Sequence, residues 1–126
     1  MILDRLREEL RARNYLPILF DFDAKSRGTI ETIRTLAGMS KFIIADLTES
    51  RFVLQELQAI VPSLPSVPVR LIIRKSEREP GMFDHISRFP WVVAGAFEYE
   101  SAEEVIGSIN DSILDPVEAK LRQLAQ

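Results

Sequence analysis

The chain contains no cysteine. That excludes disulfides and thiolate-bound zinc, and it fits a reducing compartment. It has a single histidine, His85, set in the polar stretch SEREPGMFDHISRF, which argues against a metal site or a histidine proton shuttle. It has no excess of positive charge. The formal net charge of −3 provides no broad attraction to nucleic acid or to an anionic membrane surface. No apolar run approaches the roughly 20 residues that span a bilayer. The opening MILDRLREEL is too charged to be a secretory signal. No P-loop, G-x-G-x-x-G, H-E-x-x-H or Ser-His-Asp spacing is present. These absences leave a soluble, cytoplasmic protein with no metal or cofactor called for.

What is present is ordinary for a globular domain. The 126 residues are 46% hydrophobic and 28% charged, enough for one domain over 1–126 with a real core. ILDRLREELRAR repeats its apolar residues at helical spacing, and Asn14 is a plausible stop. YLPILFDFD reads as a strand and AKSRGT as a loop. TIETIRTLAGMS reads as a helix capped by Thr29. KFIIADL is apolar without alternation, as in a strand covered on both faces. A helix follows it and ends before Pro62. VRLIIR is a third strand and PWVVAGAFEY a fourth. Ser101 and Glu104 form a capping-box pattern at the head of SAEEVIGSINDSIL, and a short last helix follows Pro116. Alternating strands and helices predict an α/β fold with a mostly parallel sheet and helices on both faces, in the flavodoxin-like manner. Such domains more often open on a strand. The expectation is therefore a sheet of only four strands, or a first strand coded upstream of Met1 in a longer chain. An exposed edge of that kind favours a homo-oligomer.

One residue resists the helical pattern. On a helix turning about 100° per residue, Arg51, Gln55 and Gln58 share a polar face. Phe52, Val53, Leu54, Leu57, Ala59, Ile60 and Val61 cover the rest. Glu56 falls in the apolar arc. A half-buried carboxylate is costly unless something binds it. Ligands of open α/β sheets bind at the carboxyl ends of strands. Glu56 is thus expected to face the same crevice as Asp46 and Thr48. The structural alternative is a glutamate that favours the helix dipole or pairs with a cation.

SRFVLQEL, Ser50 to Leu57, resembles the S-x-W-C-x-x-E-L signature of Toll/interleukin-1 receptor (TIR) domains. Ser50, Glu56 and Leu57 match, with Phe52 in place of Trp and Val53 in place of Cys. LREELRARNYLPILFDFD resembles the first helix and second strand of that family. DAKSRGTIETIRTLAGMSKFIIADLT resembles its acidic strand end, BB loop, second helix and third strand, and FPWVV its late Phe-Trp box. ADLTESRFVLQEL is also similar to the nucleoside 2-deoxyribosyltransferase pattern. In both families the glutamate acts where a sugar–base bond breaks. The resemblance implies Glu56 as catalytic carboxylate and NAD or a related nucleotide as substrate, in bacterial defence or signalling.

Asp21, Asp23, Asp46, Thr48, Ser50 and Phe52 are the substrate-binding candidates. Asp21 and Asp23, each alone, read more readily as a solvated strand end or a turn-forming aspartate, and Asp46 reads equally as a cap or a structural hydrogen bond. Lys25, Arg27 and Gly28 of the BB-like loop are candidates for contacting a pyrophosphate or another subunit. Two other functions stay open: a non-catalytic interaction module that assembles through that loop, and a deoxyribosyltransferase-like enzyme. Phe89 and Trp91 read as core more readily than as a stacking platform.

Overall fold

The computed structural model describes residues 2–18, 30–48, 51–77, 81 and 83–125, with the side chains of 30–33 and 51–54 outside that description. Its described elements follow the order that the patterning predicts, without the strand expected between the first two helices. Helix α1 (Ile2–Ala12) is followed by α2 (Ile30–Gly38), strand β1 (Ile43–Asp46), α3 (Arg51–Ile60) and β2 (Val69–Arg74). Strand β3 (Phe97–Tyr99), α4 (Ala102–Gly107), a π-helical turn (Asn110–Leu114) and α5 (Asp115–Leu124) complete the order. The three strands are parallel and lie in chain order β1-β2-β3. The protein is an α/β fold. No described helix is long and apolar enough to cross a membrane.

The sheet is covered on both faces, which is why its strands lack polar alternation. On one face Ala45, Val69, Leu71 and Ile73 pack with Leu57 of α3, Val61, Phe83, Ile86 and Val92. On the other, Ile72 and Tyr99 pack with Leu6 and Leu10 of α1, Val105 of α4, and Ile109, Ile113 and Leu114. The stretch SEREPGMFDHISRF is therefore more than a polar loop. Phe83 and Ile86 are buried, and Ile86–Arg88 forms a short 3-10 turn.

Helix α1 stops where asparagine allows it. Asn14 takes a positive φ of 68°. The Tyr15 N–H donates to the Leu10 carbonyl at 3.0 Å and the Asn14 N–H to that of Arg11 at 3.1 Å, the paired bonds of a Schellman cap. The strand expected over YLPILFDFD is not found at Tyr15–Ile18, which have no regular structure. Leu16 is 85% and Ile18 59% exposed. Pro17 has no N–H for a ladder, which disfavours a central strand there. The remainder of that stretch lies outside the described residues. The described sheet thus has three strands where four were expected.

The expected strand PWVVAGAFEY is interrupted. Val92 bridges Val69, but pairing resumes at Ile72 with Phe97. The offset between partners grows from 23 to 25, so two extra residues are taken up between them. Gly95, with φ of 72°, makes the bend; an added Cβ would find open space there, so the requirement is conformational. Arg70 holds it in place. This side chain is buried, with the residue 9% exposed, and its Nη1 donates to the Gly95 carbonyl at 2.6 Å. Its Nε donates to the Ser112 carbonyl at 2.8 Å. That second acceptor is free for a reason visible in the sequence. Pro116, four residues on, has no N–H to bond it, and its ring crowds it. The helix widens into the π turn at this point, and Arg70 supplies the missing donor.

Helix α5 is tied to the start of β1 through Glu118. Its Oε2 accepts from Lys41 Nζ at 2.9 Å and from the Tyr15 hydroxyl at 2.8 Å. Tyr15 also meets Phe42 edge-on at 5.4 Å. The Lys41 and Tyr15 hydrogen bonds hold the Glu118 pKa below the ordinary carboxylate value.

Two outcomes follow from these ties. Arg70→Ala takes the donors from the Gly95 and Ser112 carbonyls and removes a buried side chain, and should cost about 1–3 kcal/mol in urea unfolding. Pro116→Ala restores a local donor for Ser112, so the cost of Arg70→Ala should shrink on that background, a non-additivity a double-mutant cycle reads directly. Because the folded pKa of Glu118 is depressed, its contribution is full above the ordinary value of 4.5 and is lost as pH falls through the folded value. Acid titration of the melting temperature should show this loss in the native chain and a flatter acid limb in Glu118→Gln.

Candidate functional site

The side chains of Asp46, Thr48 and Tyr99 meet at the carboxyl ends of the strands, where the Arg74 backbone joins them. Asp46 closes β1, Arg74 closes β2 and Tyr99 closes β3. Asp46 Oδ1 accepts from the Thr48 backbone N–H at 3.1 Å and from its hydroxyl at 2.6 Å, a local turn typical of aspartate. Asp46 Oδ2 accepts from the Tyr99 hydroxyl at 3.0 Å. Thr48 Oγ1 accepts from the Arg74 backbone N–H at 2.9 Å and stands 2.9 Å from the Tyr99 hydroxyl oxygen. The chain just after β1 is thereby fastened to the ends of β2 and β3.

Tyr99 is 2% exposed. Burial pushes its hydroxyl pKa up to about 12; the Asp46 carboxylate adds to the rise, while the Thr48 hydrogen bond and the Arg74 charge oppose it. Tyr99 and Arg74 are the members of this group that the sequence analysis does not name. For Tyr99 the signal available was a tyrosine at a strand end, which periodicity alone assigns to core.

Glu56 lies in α3, the helix that follows β1. It is half-buried, and its carboxylate makes no hydrogen bond or ion pair to another described residue. Its surroundings on the helix differ from expectation. Ala59 is exposed together with Gln55, while Leu57, Ile60 and Val61 are buried. Alanine has too little apolar surface to compete with leucine, isoleucine and valine for the core, so the helix turns Ala59 outward. Glu56 consequently borders the solvent face, and Gln58, also half-buried, borders its other side.

Of the residues expected to share one crevice, Asp46 and Thr48 are drawn together and Glu56 is carried by α3. Asp46 is in register with Ile72 and bonds Tyr99, both on the α1/α4 face, whereas α3 packs on the opposite face through Leu57. Asp46 and Thr48 are brought together with Tyr99, and Glu56 belongs to the helix on the opposite face.

The other candidates are placed as follows. Asp21, Asp23, Lys25, Arg27, Gly28 and Ser50, and the side chain of Phe52, lie outside the described residues. Phe89 and Trp91 are half-buried against the α3-side core, with ring centroids 5.2 Å apart. The Trp91 indole N–H donates to the Val61 carbonyl at 3.0 Å. His85 is exposed and meets Phe89 edge-on. Among the described residues no cluster of acidic, histidine or cysteine side chains could hold a metal ion.

Comparisons of the chain with protein-family models, with curated proteins and with solved structures return no match.

The raised Tyr99 pKa has a measurable consequence. A neutral hydroxyl is favoured in the fold, so its contribution is full below the ordinary value of 10.0 and is lost as pH rises through about 12. Tyr99→Phe should lower stability near neutrality by about 1–3 kcal/mol, because Asp46 loses a donor. It should also flatten the alkaline limb of the stability curve. Unfolding followed by circular dichroism between pH 8 and 12, with tyrosinate absorbance as the titration readout, checks both.

Proposed function

We propose that this chain is a TIR-like domain of flavodoxin-like fold that hydrolyses the N-glycosidic bond of NAD or a related nucleotide, with Glu56 as the catalytic carboxylate. The observation that carries the reading is Glu56 itself. It is a half-buried carboxylate on the helix that follows a parallel strand, in a fold class that binds ligands at the carboxyl ends of its strands, and no described residue pairs with its side chain. The arrangement of the layers supports the fold part. Helix α3 packs on one face and α1 and α4 on the other, over strands in sequential parallel order, as in one half of a doubly wound sheet.

The chemistry asked of Glu56 is electrostatic. As the base departs with the bonding electron pair, positive charge develops on the sugar C1 and ring oxygen. A carboxylate beside C1 stabilises that charge or bonds to it until water completes hydrolysis. Asp46 does not serve as a second free carboxylate here, since both its oxygens already accept from Thr48 and Tyr99. Its part is to fix the chain between β1 and α3, and with it the start of the helix that carries Glu56.

Release of nicotinamide from NAD by the purified protein at high concentration tests the reading. Glu56→Gln keeps the shape and removes the charge. It should fold with an unchanged or slightly higher melting temperature, since no described partner is lost, and should cut cleavage by about 10²-fold or more. Full activity in Glu56→Gln, or a destabilised variant with activity intact, would end the catalytic assignment.

A further inference from the structure

The side chain at the end of the middle strand has no part in the proposed bond cleavage. Arg74 is exposed and closes β2, with β1 and β3 on either side. Its backbone is pinned by the Thr48 hydroxyl at 2.9 Å. It is in register with Tyr99, so both side chains leave the sheet on the α1/α4 face, and its positive charge is felt at the Tyr99 hydroxyl. Arg5, Arg7, Arg13 and Lys41 each have a carboxylate oxygen within 3.3 Å. Arg74 has no such partner among the described residues. Other exposed cations share that property, and position sets Arg74 apart. Its backbone is fixed at the carboxyl edge of the sheet, next to a hydrogen-bonded cluster whose one acid has turned both oxygens to internal donors.

We infer that Arg74 is the phosphate anchor of the carboxyl-end site, so that its ligand is a phosphorylated nucleotide and not a bare nucleoside. The inference rests on the glycosidase reading for the location of the site, and it adds the part of the substrate that Glu56 does not touch. Guanidinium is suited to the task, because its forked N–H groups match phosphate oxygens in pairs. Arg74 leaves the sheet on the α1/α4 face, and α3, which carries Glu56, packs on the other. A nucleotide lying across the edge would place its sugar–base bond toward α3 and its phosphate toward Arg74.

Binding, measured apart from cleavage, tests this. Calorimetric titration of the full chain with ADP, adenosine and inorganic phosphate should give ADP an advantage of at least about tenfold over adenosine, weakened by salt. Inorganic phosphate alone should bind more weakly than ADP. Arg74→Ala should abolish the ADP advantage, Arg74→Lys should keep part of it, and Lys75→Ala should leave it unchanged. Circular dichroism confirms that each variant is folded. Equal ADP affinity in the native chain and folded Arg74→Ala, no preference of the native chain for ADP over adenosine, or phosphate binding as tight as ADP would each overturn the inference. If NAD is not cleaved but ADP binding depends on Arg74, the glycosidase reading falls and the anchor stands. If NAD is cleaved with the same KM in native chain and Arg74→Ala, the anchor falls and the glycosidase reading stands.

Discussion

A buried guanidinium joins the parts of this fold that local patterning leaves unconnected. Arg70 sits in the middle strand among Val69, Leu71, Ile72 and Ile73, all buried. Burial there pulls its pKa down from the ordinary value, a sign that the surroundings disfavour its charge. Two backbone carbonyls offset that cost, and each is available because of a particular residue. Gly95 turns the chain so that its carbonyl points inward. Pro116 removes the N–H that would otherwise take the Ser112 carbonyl. One side chain thus settles where β3 restarts and where the C-terminal helix widens.

The position of β3 in turn decides the carboxyl edge. Pairing resumes at Ile72 with Phe97, which brings Tyr99 level with Arg74. A shift of one residue would send the tyrosine to the other face of the sheet, away from Asp46. The polar cluster at the strand ends therefore depends on a bend and on Arg70, which lies at the far end of β2. The proposed chemistry stands on the same arrangement. Asp46, Thr48 and Tyr99 fix the start of the β1–α3 connection, and Arg74 closes the strand beside them.

The order of helices and strands was largely legible. Apolar spacing marks α1, and Asn14 ends it with the left-handed backbone that asparagine tolerates. Ser101 accepts from the Glu104 N–H at 3.2 Å, and Glu104 reaches back to the Glu100 N–H at 2.7 Å, close to the capping box its sequence suggests. These signals are readable because their partners lie within a few residues of one another. The split in PWVVAGAFEY was not readable, since nothing local shows that a glycine bend will be held by an arginine 25 residues earlier. Phe83 and Ile86 were passed over for a similar reason. Their neighbours are polar, and only the fold shows that two apolar side chains of a connecting segment complete a core.

The candidate site divides along the same line. By itself the sequence determined that Glu56 would be on the helix after β1 and not fully exposed, because helical phase and the neighbouring apolar residues fix that much. It determined equally that Asp46 and Thr48 would stand at a strand end, because an apolar run must finish where polar residues can reach water. Tertiary structure alone decided that Asp46 faces Tyr99 and not Glu56. Alternation along β1 assigns faces only relative to one another, and which face receives α3 depends on how the layers pack. It also decided that Ala59 turns outward, which moves Glu56 from the apolar arc to its border. A helix buries the rotation that covers the most apolar area, and that comparison can be made only against the sheet it packs on.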